Sequence, residues 1–97
     1  METIIISEKI AQKLKEKHQV ERCEIVECFL NMDPDADYLE DSREQHRTDP
    51  PTKWFISKTN HNRELKVVFV PEGGKIFVKS AFPPNERERM IFASHAF

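Results

Sequence analysis

Of the 97 residues only two are glycine, two cysteine, one tryptophan and one tyrosine. Both glycines are spent at Gly73-Gly74, so one tight turn is marked by composition and the other reversals must be made by Asn, Asp and Pro. Cys23 and Cys28 are five apart, which on a helix puts them on different faces, and neither a CxxC motif nor a Cys/His zinc spacing is present. A disulfide scaffold and a zinc module are therefore not expected. No apolar run approaches the ~20 residues of a membrane helix, and the opening Met1 to Ser7 has no basic segment before its three isoleucines, unlike a secretory signal. The expected location is the cytoplasm.

Charged residues make up 33% of the chain and hydrophobic ones 38%, a balance that suits a small globular fold with a heavily solvated surface. The length implies one domain, residues 1–97, with a modest core. The net charge of −2 hides an asymmetry. Residues 1–50 carry seven Lys/Arg and thirteen Asp/Glu, a balance of −6, whereas residues 51–97 carry eight and four, a balance of +4. The second half is thus the one suited to face an anion.

Ser7 is a good N-cap, and Ile10, Ala11 and Leu14 follow at helical spacing, which predicts a helix from Glu8 to Lys17 with Lys9, Lys13 and Lys17 as a basic stripe. Val20 to Met32 predicts a second helix, with Ile25, Val26, Phe29 and Leu30 inward and Glu21, Glu24 and Glu27 outward. Asn31 and the run Asp33-Pro34-Asp35-Ala36-Asp37 end it. From Lys53 the periodicity shifts to two. Trp54–Lys58, Leu65–Val70 and Lys75–Phe82 read as a three-stranded antiparallel meander with turns at 59–63 and Pro71 to Gly74. In the third strand Ile76, Val78, Ser80 and Phe82 are expected on one face. After Pro83-Pro84, Asn85 and Glu88 form an Asn variant of the capping box for a short last helix. The predicted fold is α+β: two N-terminal helices packed on a three- to four-stranded antiparallel sheet, the fourth strand being Thr3 to Ile6, with a short C-terminal helix.

The stretch Asp41 to Phe55 gathers charge, a histidine, Pro50-Pro51 and the tryptophan just before the sheet. Consecutive prolines exclude a helix there and favour extended backbone. His46 is the best-suited acid–base group, because an unperturbed imidazole titrates near neutrality, and Glu44 or Asp41 is spaced to orient it. Lys66 is the lone polar residue of an otherwise apolar strand, where one cation beside a sheet surface suits a phosphate. Arg43, Arg63 and Lys79 are further candidate phosphate contacts, and Trp54 a candidate base-stacking surface. Together these groups offer a proton acceptor, cations for a phosphate and a stacking surface. The bland assignments are a solvated His46, a core Trp54 and a snorkelling Lys66.

The pattern Asp-x-Arg-Glu-x-His-x-x-Asp-Pro-Pro-Thr-x-Trp-Phe over 41–55, with Arg63-x-Leu-Lys-Val-Val-Phe and Pro84-Asn85-Glu86, resembles short bacterial proteins that carry the label ADP-ribosyl-(dinitrogen reductase) hydrolase. That label implies a much larger helical enzyme with an acidic metal site; for this chain it implies binding or hydrolysis of an ADP-ribose-type ligand, with Arg43, His46 and Trp54 holding its phosphate and base. His18, Val20, Glu24, Val26 and Leu30, then Arg63, Leu65, Val67 and Val68, then Ser80-Ala81 and Glu86, Glu88 and Arg89, more distantly resemble the BrnT-like toxins of the RelE/ParE group. This resemblance implies a RelE-like fold, a toxin of a toxin–antitoxin pair, ribonuclease activity on RNA or at the ribosome without cofactor or metal, and an antitoxin protein as partner. A non-catalytic protein- or RNA-binding relative is the alternative. The chain departs from the toxins at Phe77 and Phe82, where they tend to carry arginines.

Overall fold

The computed structural model describes residues 3–40 and 51–97. Strand β1 (Thr3–Ile5) leads into helices α1 (Glu8–His18) and α2 (Arg22–Leu30). The short strand β2 (Leu39–Glu40), the meander β3 (Lys53–Lys58), β4 (Glu64–Glu72) and β5 (Lys75–Phe82), and helix α3 (Glu86–His95) follow. The α+β expectation holds. Among the described residues, however, the sheet has five strands in the order β1-β5-β4-β3-β2, and β1 runs parallel to β5 at one edge while every other pair is antiparallel.

The helix ends follow local chemistry. The Ser7 hydroxyl accepts from the Ile10 amide at 3.2 Å and opens α1; Gln19, in the left-handed region at φ 52°, closes it. A capping box opens α2, with Glu21 in the role usually held by Ser or Thr and Glu24 as its reciprocal. Asn85 and Glu88 make the expected box at α3, the Glu88 amide donating to Asn85 Oδ1 at 2.8 Å.

Two turns join the meander. Glu72 pairs with Lys75, so only Gly73 and Gly74 form the second turn, and both have positive φ, as a type I′ hairpin requires. Pro71 therefore lies within β4 instead of in the turn. At the first turn the Thr59 amide donates to the Arg63 carbonyl at 2.9 Å, and the buried Thr59 hydroxyl accepts from the His61 and Arg63 amides, each at 3.2 Å. The side chain of Asn31, which caps α2, donates to Lys58 O at 3.0 Å and to Asn60 Oδ1 at 2.9 Å, while Glu27 accepts from the Asn60 amide at 2.9 Å. The end of α2 thus holds the turn in place.

Both faces of the sheet are covered. Phe29 of α2 packs on Phe55 and Phe69 at centroid distances of 4.7 and 5.5 Å, while α1 lies along β5. On the opposite face Phe92 of α3 meets Trp54 at 6.0 Å. Fully burying each of Phe55 and Phe69 stabilises by roughly 1.5–3 kcal/mol.

Two sequence expectations are corrected by packing. In α2, Glu24 and Glu27 turn partly inward, Cys28 joins Ile25 in the core, and Val26 and Leu30 stay exposed. In β5 the pairs Val68↔Ser80 and Phe69↔Val78 leave Lys79 unopposed, a bulge that reverses which side the later residues face. Ala81 is consequently buried with Ile76 and Val78. Ser80 and Phe82 instead lie opposite Val68 and Lys66, on the side of Trp54.

Candidate functional site

Lys66, central on β4, pairs with Ile56 on one side and Phe82 on the other. It is 9% exposed. Its ammonium lies 4.5 Å from the centre of the Trp54 ring and 5.6 Å from that of Phe82, an aromatic cradle for a cation. The first turn of α3 supplies the counter-charge: Glu88 Oε2 accepts from Lys66 Nζ at 2.5 Å, while Glu88 Oε1 accepts from the Asn85 amide at 2.9 Å. One carboxylate therefore starts the helix and pins it to the sheet. A second ion pair, Arg89 with Glu64, fastens the same helix one position further on.

Such a pair is costly to bury, and an apolar residue of similar volume often serves stability as well. What the pair does here is join the start of α3 to the middle of the sheet. A proton donor, a proton acceptor and an aromatic ring converge here.

Of the residues singled out from sequence, Lys66 and Trp54 are brought together. The Trp54 ring is 8% exposed and covered by Lys66 and Phe92, so it serves the core and offers no open face for a base. Arg63 works on the helical side. Its guanidinium donates to His18 O and Gln19 O, each at 2.7 Å, and pairs with Glu24 at 3.2 Å, closing the C-terminus of α1 where carbonyls lack helical partners. Lys79 is exposed at the bulge of β5, three residues before Phe82. Arg43, Glu44 and His46, with Asp41, lie outside the described residues.

Glu88 enters the sequence reading as a helix cap and a point of resemblance, not as the partner of Lys66. The signal was available: a lone lysine in an apolar strand calls for a carboxylate, and Glu88 stands in the helix that follows the sheet. Cys28 is the other titratable group in the core. Burial, then the nearby Glu24 and Glu27 carboxylates, push its thiol up to about 12, against an opposing pull from Arg63. It is no nucleophile at neutral pH.

Among the described residues no group of three or more His, Cys, Asp or Glu is placed to hold a metal ion, and no helix is long and apolar enough to cross a membrane. No family model matches the chain, and no curated protein matches it. Its fold is similar to the 1.1 Å crystal structure of the Brucella abortus ribonuclease toxin BrnT, with a TM-score of 0.63 and 20% sequence identity over 89% of this chain and 100% of that one. The likeness is one of fold.

Proposed function

We propose that this chain is a toxin-type ribonuclease that acts on RNA in the cytoplasm without a metal and is restrained by an antitoxin protein. The observation that carries this reading is the overlap of the α+β fold with the whole of the BrnT chain, a protein described as a ribonuclease toxin. The buried pair between Lys66, central among the apolar residues of β4, and Glu88 of α3 supports it. In this reading His46, oriented by Glu44, takes the 2′-OH proton, the 2′-oxygen bonds to the adjacent phosphorus, and the bond from phosphorus to the 5′-oxygen breaks, leaving a 2′,3′-cyclic phosphate and a 5′-hydroxyl that takes its proton from water. Lys66, exchanging Glu88 for the phosphate, balances the charge that builds on the phosphate oxygens. Arg43 and Lys79 contribute longer-range attraction.

A second reading has its own observation. Lys66 and Arg63 are each held by a carboxylate, and Phe77 and Phe82 stand where the toxins tend to carry arginines. That pattern suits a non-catalytic relative which binds a protein. Purified protein incubated with RNA in EDTA, with and without ribosomes, separates the two. Cleavage that His46→Ala and Lys66→Ala abolish while the folded spectrum is kept supports the first. Absence of cleavage, together with no growth arrest on expression, leaves the second.

A further inference from the structure

Helix α2 is apolar on two sides. Ile25 and Cys28 are in the core, and Phe29 packs on the sheet, yet Val26 is 38% and Leu30 64% exposed. Val26 and Leu30 thus form a second apolar strip on a helix whose other apolar side already packs on the sheet. The exposure is not a loose fit. Glu24 is turned in to pair with Arg63, and Glu27 to accept from Asn60, and these anchors fix the rotation that sends Val26 and Leu30 to solvent. They are i, i+4 neighbours on one stripe. Tyr38, 39% exposed, borders the same helix: its ring packs on Phe29 at 6.5 Å and on Phe55 and Phe69 at 5.3 and 4.9 Å, so only part of it faces outward beside α2.

The surroundings specify what can cover this patch. Residues 21–40 hold seven Asp/Glu and one Arg, a balance of −6 in a chain whose total is −2. Asp33, Asp35, Asp37 and Glu40 are exposed, and none is in an ion pair among the described residues; Asp33 and Asp35 lie in the turn directly after α2, while the Asp37 amide donates to Ala96 O at 2.7 Å, farther along the sheet edge. An acidic rim repels RNA and anionic lipid alike and attracts a cationic partner.

We infer that the outward stripe of α2, with Tyr38, is a docking surface for a basic amphipathic segment of a partner protein: a helix whose apolar side seats on Val26, Leu30 and Tyr38 and whose Lys/Arg flanks meet Asp33, Asp35, Asp37 and Glu40. This rests on the reading above only in requiring a protein partner, and it assigns that partner to the side of the sheet opposite Lys66. RNA and an antitoxin segment then need not compete for one surface.

The test uses the full ¹⁵N-labelled chain and a synthetic amphipathic helix of about 18 residues, Leu/Ala on one side and Lys/Arg on the other, with a Glu-for-Lys/Arg peptide as control. Shift changes should fall on residues 22–40. Leu30→Gln should weaken binding about tenfold, equivalent to ~1.4 kcal/mol, and raising NaCl from roughly 0.05 to 0.5 M should weaken it further. The acidic control should not bind. Val26→Gln, at a second exposed position, should act in the same direction. The inference is overturned by absence of binding, by shifts centred on α1 or α3, by equal binding of the acidic peptide, or by indifference to both substitutions. It is also overturned if sedimentation shows a dimer that Leu30→Gln dissolves, since the occupant is then a second copy. RNA cleavage measured on the same samples reports on the ribonuclease reading separately.

Discussion

Replacing Arg63 by alanine should cost this protein much of its stability, and the loss can be worked out from its contacts. The guanidinium makes two bonds of 2.7 Å to the carbonyls of His18 and Gln19 and a 3.2 Å pair with Glu24. A hydrogen bond to a charged group contributes about 1.5–3 kcal/mol, and a cation at a helix C-terminus about 0.3–1 kcal/mol more. The side chain is 32% exposed, so water can take over part of each bond once it is gone. Discounting by about half leaves ~2–3 kcal/mol. For a domain of this size that lowers Tm by roughly 10–20 °C. Urea unfolding followed by Trp54 fluorescence should show a lower midpoint with an unchanged slope. Arg63→Lys should lose nearly as much, because a single ammonium cannot reproduce the planar fork that reaches two carbonyls and a carboxylate together. A loss below ~0.5 kcal/mol for alanine, or full rescue by lysine, would refute the assignment of Arg63 as the clasp between α1 and β4.

Glu88→Gln should destabilise by about 3–5 kcal/mol because it strands the Lys66 charge, whereas Lys66→Met combined with Glu88→Gln should return most of the loss; a thermal double-mutant cycle reads both. In the native protein one thiol of two should react quickly with a disulfide reagent, that of exposed Cys23, and Cys28 only on unfolding. Since the Cys28 thiol is held at about 12 against 9.0 unfolded, the unfolded chain loses its proton first, so stability should fall as pH rises above 9, and less steeply in Cys28→Ala. Gln19→Gly should raise stability by about 0.5–1 kcal/mol by relieving the left-handed backbone at φ 52°, measured by the urea midpoint.

The elements themselves were legible in sequence, and for identifiable reasons. Ser7, Asn85 and Glu88 mark helix starts by side-chain chemistry that needs no tertiary partner, and β5 over Lys75–Phe82 is bounded by glycines and prolines. What failed was orientation. The slip at Lys79 depends on how β5 registers with β4, and no residue in β5 announces it. Likewise the rotation of α2 is decided by Arg63 and Asn60, about 40 residues downstream, which recruit carboxylates that local periodicity assigns to solvent. The partnering of Lys66 by Glu88 belongs to the same class: each residue was noted, but their meeting follows from where the strand order places α3. The parallel pairing of β1 leaves no local trace either, since a three-residue apolar stretch reads alike in either direction.

That pairing bears on how the chain reaches its folded state. Thr3 pairs with Lys75, so the sheet edge joins residues 72 positions apart, 75 minus 3, whereas the β4–β5 hairpin closes over two residues. Loop closure of that span costs far more entropy than the hairpin does, and it is recovered only once β5 is in place. Strand β1 is therefore made well before the strand it pairs with: during translation Thr3–Ile5 stay without their sheet partner until β5 has emerged, and the meander forms the template on which β1 closes.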